Sequence, residues 1–134
     1  MAYLLDTNVC IAIIKRKPSG VLERLQRCGP GDVLISAISV AELRYGATKS
    51  QEATKAHSTL DKFLAPFEIL DFDYLSAATY GAVRAALEGG GTPIGPLDTL
   101  IASQAVQNDL VLVTSNAREF SRVQGLKLEN WIGS

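Results

Sequence analysis

The sequence predicts an α/β protein: a central parallel β-sheet flanked by helices on both faces. Short apolar runs have the length and content of buried strands: "YLL" (Tyr3 to Leu5), "VLISA" (Val33 to Ala37), "FEIL" (Phe67 to Leu70) and "LVLVT" (Leu110 to Thr114). Stretches with helix periodicity and cap signals separate them, and strands that alternate with helices pair in parallel. At 134 residues, 47% of them hydrophobic and 20% charged, the chain suits one globular domain, residues 1–134, with a core of its own.

The elements follow in order. The strand at Tyr3 to Leu5 runs into a helix from Asn8 to about Lys15, stopped by Pro18. A second helix, Gly20 to Arg27, ends at "GPGD". After "VLISA", Ser39 and Glu42 have the S-x-x-E spacing of a capping box, which puts a helix start at Ser39. Further helices are expected from Ser50 to Leu64 and from about Tyr74 to Leu87, the latter ended by Gly89 to Gly91. "TPIGP" leads into a helix from Leu97 to Gln107, and a short last strand is expected around Lys127 to Leu128.

Composition excludes several functions. The formal charge of −1 neither demands nor forbids a polyanionic partner. Cys10 and Cys28 read as reduced thiols of a cytoplasmic protein, no signal peptide opens the chain, and no apolar segment approaches a membrane span. His57 is the only histidine and falls on a polar-faced helix, which argues against serine-protease triads and histidine-based zinc sites. "GGGTPIGP" lacks the G-K-[ST] ending of a phosphate loop, and Trp131 reads as a packing anchor.

Asp6 interrupts the apolar sequence on either side of it, and an unpaired buried carboxylate is costly. In parallel sheets the functional crevice lies at the carboxyl ends of the strands. Asp6, Glu42, Asp98, Asn116 and Glu119 all fall there or at the start of a following helix, and Glu42 and Asp98 align with the apolar stripes of theirs. Helix capping explains each acid singly. Convergence of all of them needs more, since two carboxylates about 4 Å apart repel by roughly 4 kcal/mol at an effective dielectric of 20. Some must be protonated or a cation must neutralise them. An all-oxygen set selects Mg²⁺, with Mn²⁺ as a substitute, and suggests phosphoryl chemistry.

"LLDTNVCIAIIK", "ISVAELRYGA", "GTPIGPLDTLIASQA" and "LVLVTSNAREFSRVQGLKLENW", in this order, resemble the PIN-domain ribonucleases of the VapC toxin type. The resemblance implies a PIN-like fold and a Mg²⁺-dependent endoribonuclease that cuts RNA, with transfer RNA as the preferred substrate, and so inhibits translation. It implies a cognate VapB-type antitoxin and a homodimer, or a larger assembly with the antitoxin. Asp6 and Asp98 match the metal-holding aspartates, Glu42 the essential glutamate, and Thr7 the hydroxyl that supports the first aspartate. The fourth acid differs: two residues beyond Thr114, where many relatives carry aspartate, stands Asn116, and Glu119 offers a carboxylate one helical turn further on. Thr114 and Asn116 count as supporting residues, and the implied catalytic set is Asp6, Glu42, Asp98 and Glu119.

RNA approaching an acidic edge needs basic residues around it. Lys15, Arg16, Lys17, Arg44, Arg84, Arg118 and Arg122 are candidates, Arg84 and Arg118 first, although basic residues at helix ends are commonly only solvated. Two rival readings remain. A phosphoacceptor domain would want an aspartate ending a central strand and a lysine near the last one; "VLISA" and "LVLVT" provide neither. A catalytically degenerate PIN-like scaffold, binding only RNA or a protein, would usually have lost one of the core acids.

Overall fold

The computed structural model describes residues 2–29 and 31–132. Five strands, β1 (Tyr3–Leu5), β2 (Val33–Ser36), β3 (Glu68–Leu70), β4 (Val111–Val113) and β5 (Lys127–Glu129), form one sheet in the order β3-β2-β1-β4-β5. Every pairing is parallel. The helices are α1 (Thr7–Lys15), α2 (Ser19–Gln26), α3 (Ala37–Thr48), α4 (Ala53–Leu64), α5 (Tyr74–Gly89), α6 (Pro96–Gln107) and the short α7 (Ala117–Phe120). None of the helices is long and apolar enough to cross a membrane among the described residues.

Strand alternation splits the core in two. Leu5, Ile35 and Val113 point to one face, where they join Val9, Ile13 and Leu60 of α1 and α4. Leu4, Leu34 and Leu112 point to the other, against Leu87 of α5, Ile101 and Ala105 of α6 and Phe120 of α7. Full burial of a Leu or Ile side chain is worth about 1.5–3 kcal/mol, and Leu4, Leu5, Ile35 and Leu112 are wholly inside. Trp131 is the expected anchor: it meets Tyr3 edge-on at 5.3 Å between ring centres, and its Nε1 donates to Glu129.

Several boundaries differ from the sequence reading. Helix α3 is capped by Ser36, whose Oγ accepts from the Ile38 N–H, so Ser39 and Glu42 lie inside the helix and form no capping box. The strand stops one residue early because Ser36 also donates to Gln104, whose amide in turn donates to the Leu70 carbonyl; this buried relay ties the ends of β2 and β3 to α6. Helix α4 starts at Ala53 rather than Ser50, since Ser50 Oγ accepts from the Glu52 N–H and holds those residues in a turn. Helix α5 runs on to Gly89, and Gly90 caps it.

The sheet order makes β1 and β4 the neighbours at which the winding direction reverses. Such a reversal opens a crevice beyond the carboxyl ends of the two strands. Parallel register pairs Leu5 with Ile35 and with Val113, which brings the next residues, Asp6, Ser36 and Thr114, level at that edge.

Candidate active site

Asp6 is 5% exposed at the end of β1. It caps α1, its Oδ1 accepting from the Val9 N–H at 2.9 Å, while its own N–H donates to the Val113 carbonyl. The Thr114 hydroxyl at the end of β4 also bonds the carboxylate. Capping and membership of an acidic cluster are therefore not alternatives here; Asp6 does both. Burial pushes its carboxyl above the usual range and nearby Glu42 adds to the rise, against the opposing bonds from Thr114 and Val9.

Glu42 projects from α3 and is half-buried. Thr7 Oγ1 donates to its Oε1 at 2.6 Å and lies 3.1 Å from the buried Ser39 Oγ. This corrects the sequence expectation that Thr7 would support the first aspartate. Thr7 starts α1, which packs on α3, so its side chain meets Glu42, and Thr114 from the neighbouring strand supports Asp6 instead.

Asp98 sits in the first turn of α6, behind Pro96 at the N-terminus and Gly95 as N-cap. Its carboxyl is pushed up to about 6, by burial first and then by the charges of Glu119, Glu42 and Asp6. Acids from three other segments thus all act on Asp98 at this edge. Glu119 behaves differently: its Oε2 accepts from Asn116 Nδ2 at 2.9 Å and its Oε1 from the Gly95 N–H at 3.1 Å, and these bonds hold its carboxyl low.

Thr114 deserves a test of its own. Besides bonding Asp6 it accepts from the Asn116 N–H at 2.9 Å, so a methyl in place of its hydroxyl strips two buried partners at once. Thr114→Val is expected to lose about 1–3 kcal/mol in urea unfolding at pH 7. Unchanged stability would mean that the hydroxyl bears no weight.

Of the basic candidates, Arg44 is paired with Asp61 and reaches His57, and Arg122 donates to the Pro93 carbonyl at 3.1 Å. Arg84 is held by Glu88 and Tyr80 along α5. Arg118 is exposed on α7, and Lys15 lines a cavity of about 470 Å³ together with Thr7 and Glu42. That cavity runs between α1, α3 and α4 over Ile11, Leu43 and Leu60. Leu60 lines this cavity, whereas Val21 of α2 is wholly buried against the core.

The donor set is hard and all oxygen, and Asp98 is raised by burial and then by three neighbouring acids; both features fit a divalent cation. Among the described residues no group of three or more His, Cys, Asp or Glu side chains is placed to hold a metal ion together.

A five-stranded parallel sheet ordered β3-β2-β1-β4-β5, with acids gathered where its winding reverses, is the architecture of a nuclease-type α/β domain. The PIN domain family model matches residues 3–126. The tRNA(fMet)-specific endonuclease VapC of Shigella flexneri is 41% identical over 131 residues, covering 98% of each chain. Ribonuclease VapC2 of Rickettsia felis is 42% identical over 132 residues, again with 98% of each covered. Among solved structures, VapBC2 of Rickettsia felis bound to a DNA fragment from its promoter superposes with a TM-score of 0.92 at 40% identity, covering 98% of this chain and 99% of that one. The chain belongs to the PIN-domain family, in its VapC ribonuclease branch. PIN-domain nucleases generally depend on a divalent metal.

Proposed function

We propose that this chain is a Mg²⁺-dependent endoribonuclease, the toxin of a toxin–antitoxin pair, that hydrolyses transfer RNA in the cytoplasm and so inhibits translation. The observation that carries the reading is the placing of Asp98 within reach of the charges of Glu119, Glu42 and Asp6, which come from three other parts of the chain. The Shigella relative's specificity for initiator transfer RNA makes that RNA the substrate to test first.

Asp6 and Asp98 would hold Mg²⁺ or Mn²⁺, with water completing the shell. The ion, when bound, offsets the repulsion among the acids and polarises a phosphate oxygen. Asp6 is kept rigid by the α1 cap and by Thr114, so its position is set before anything binds. Glu42 has Oε1 committed to Thr7, which leaves Oε2 to accept a hydrogen bond from the attacking water and turn it toward the phosphorus. In-line attack gives a 3′-hydroxyl and a 5′-phosphate without any side-chain nucleophile. Arg118 and Lys15 are the better placed to meet flanking phosphates, while Arg84 must first exchange Glu88 for RNA.

The cavity between α1, α3 and α4 opens beside Glu42, so an apolar segment of a VapB-type antitoxin laid in it would end at the acidic edge and block it. Solved relatives that carry both components support this partner. Ile69 on the edge strand β3, with Tyr74 and Leu75 beyond it and Tyr45 on α3, are exposed large apolar groups that suit a homodimer face.

The test is cleavage of bacterial transfer RNA by the purified, antitoxin-free chain in Mg²⁺, in Mn²⁺ and in EDTA, with the new ends sequenced. Discrete cuts that vanish in EDTA and leave 5′-phosphates are expected. A folded protein that cuts no RNA with either metal contradicts the reading and favours a binding scaffold.

A further inference from the structure

Asp6 and Asp98 come from opposite parts of the chain, and one continuous set of hydrogen bonds joins their neighbourhoods. Thr114 bonds the Asp6 carboxylate and accepts from the Asn116 N–H. The Asn116 side chain donates to Glu119 Oε2, and Glu119 Oε1 accepts from the Gly95 N–H. Gly95 is the N-cap of α6, and its carbonyl takes both the Thr99 N–H and the Thr99 hydroxyl at 2.9 Å. A methyl added at Gly95 would lie 3.5 Å from Asp98 Oδ2, so the Asp98 carboxylate folds back over this residue. A second tie runs in parallel, from Arg122 just past α7 to the Pro93 carbonyl.

We propose that Glu119 is a positioning residue rather than a metal ligand: with Asn116 it fastens the Pro93–Gly95 loop to α7 and thereby sets where Asp98 stands relative to Asp6. The proposal rests on the reading of Asp98 as a metal-holding acid. It accounts for Asn116 as well. At 2.9 Å from Glu119 Oε2 the position needs a donor, and an aspartate there would set two carboxylates against each other. Asn116 and Glu119 thus work as a pair, in which the amide completes the clamp.

A carboxylate oxygen has a second lone pair, so existing bonds alone do not decide between clamp and ligand. A neutral isostere does. Gln at position 119 can accept from the Gly95 N–H through its oxygen and donate through its amide to Asn116 Oδ1 once the Asn116 amide turns over. It preserves a clamp and removes a charged ligand.

The experiment compares the wild-type chain with Glu119→Gln, Glu119→Ala and Asp98→Asn by Mn²⁺ titration at pH 7.5, alongside amide hydrogen exchange at Gly95 without metal. Removing an outer-shell partner typically weakens metal binding by about 10–100-fold, and that is the loss expected for Glu119→Ala, together with faster exchange at Gly95. Glu119→Gln is expected to recover Mn²⁺ affinity to within about threefold of wild type and to restore the Gly95 protection, whereas Asp98→Asn loses binding with protection intact. If Glu119→Gln loses Mn²⁺ as Asp98→Asn does, Glu119 is a ligand and the proposal fails. Unchanged Gly95 exchange in Glu119→Ala overturns it too. A wild-type chain that binds no Mn²⁺ instead refutes the metal-holding reading of Asp98 itself, and the positioning role falls with it.

Discussion

Asp98→Asn is expected to cleave RNA at least about 10³-fold more slowly than the parent chain, a loss of roughly 4 kcal/mol of transition-state stabilisation. The same variant is expected to be more stable in EDTA. The carboxyl is pushed up to about 6 because it is partly buried among Glu119, Glu42 and Asp6, so at neutral pH its charge opposes folding when no cation is present. Asparagine keeps the shape and drops the charge. Screening by solvent limits the gain to about 1 kcal/mol, which in a domain of this size moves the unfolding midpoint by about 2–4 °C. Thermal unfolding in EDTA and single-turnover cleavage, measured on the same preparations, check both halves. A residue placed only for helix capping would give the opposite signature: lower stability with little change in cleavage.

The second large effect is a pH dependence that reverses when metal is added. Asp98 has a folded value of about 6, above its ordinary value of 3.8, and Asp6 is raised as well. Between those values the folded chain holds a proton that the unfolded chain has released, so stability without metal falls as pH rises from about 4 to beyond 6. Glu119 is shifted downward and contributes in the other sense, with stability that is present above its unfolded value and lost as pH falls through its folded one; it is only half-buried and contributes less. Metal needs the ionised carboxylate. With Asp98 near 6, protons reduce the apparent metal affinity about tenfold at pH 5 relative to pH 7. The midpoint gain from 5 mM Mg²⁺, followed by scanning calorimetry at the two pH values, is therefore expected to be smaller at pH 5 than at pH 7, by up to about 1.4 kcal/mol of stabilisation. A gain independent of pH would mean that the ion binds away from Asp98.

Much of this was legible in the residues because burial writes itself into composition. "YLL", "VLIS" and "LVLV" can only be strands buried on both faces, and alternation with helices then leaves few topologies. Asp6 stood out because it interrupts apolar sequence, and Asp98 because it aligns with the buried Ile101, Ala102 and Ala105; the stripe expected beside Glu42 is not buried, since Tyr45 and Gly46 on it are exposed. Contacts between elements were less accessible. Ser36 and Ser39 are three residues apart, and only the relay through Gln104 to Leu70 makes Ser36 the cap. Thr7 adjoins Asp6 in sequence yet bonds Glu42, because the packing of α1 on α3 decides the partner. The tie from Glu119 to Gly95 spans 24 residues, and no local pattern announces it. Spacing exposes helix faces and strand ends, whereas bonds between separate elements depend on how the layers settle on one another.

The most direct measurement of whether these acids form a metal site is calorimetric titration of Mg²⁺ into the wild-type chain and into Asp6→Asn at pH 7.5, with circular dichroism recorded on both. Saturable binding to the wild type that disappears in the variant, with the spectrum unchanged, is the result the acidic edge predicts. Equal binding by the two proteins, or none by a folded wild type, would contradict it and leave Asp6 as the cap of α1 alone.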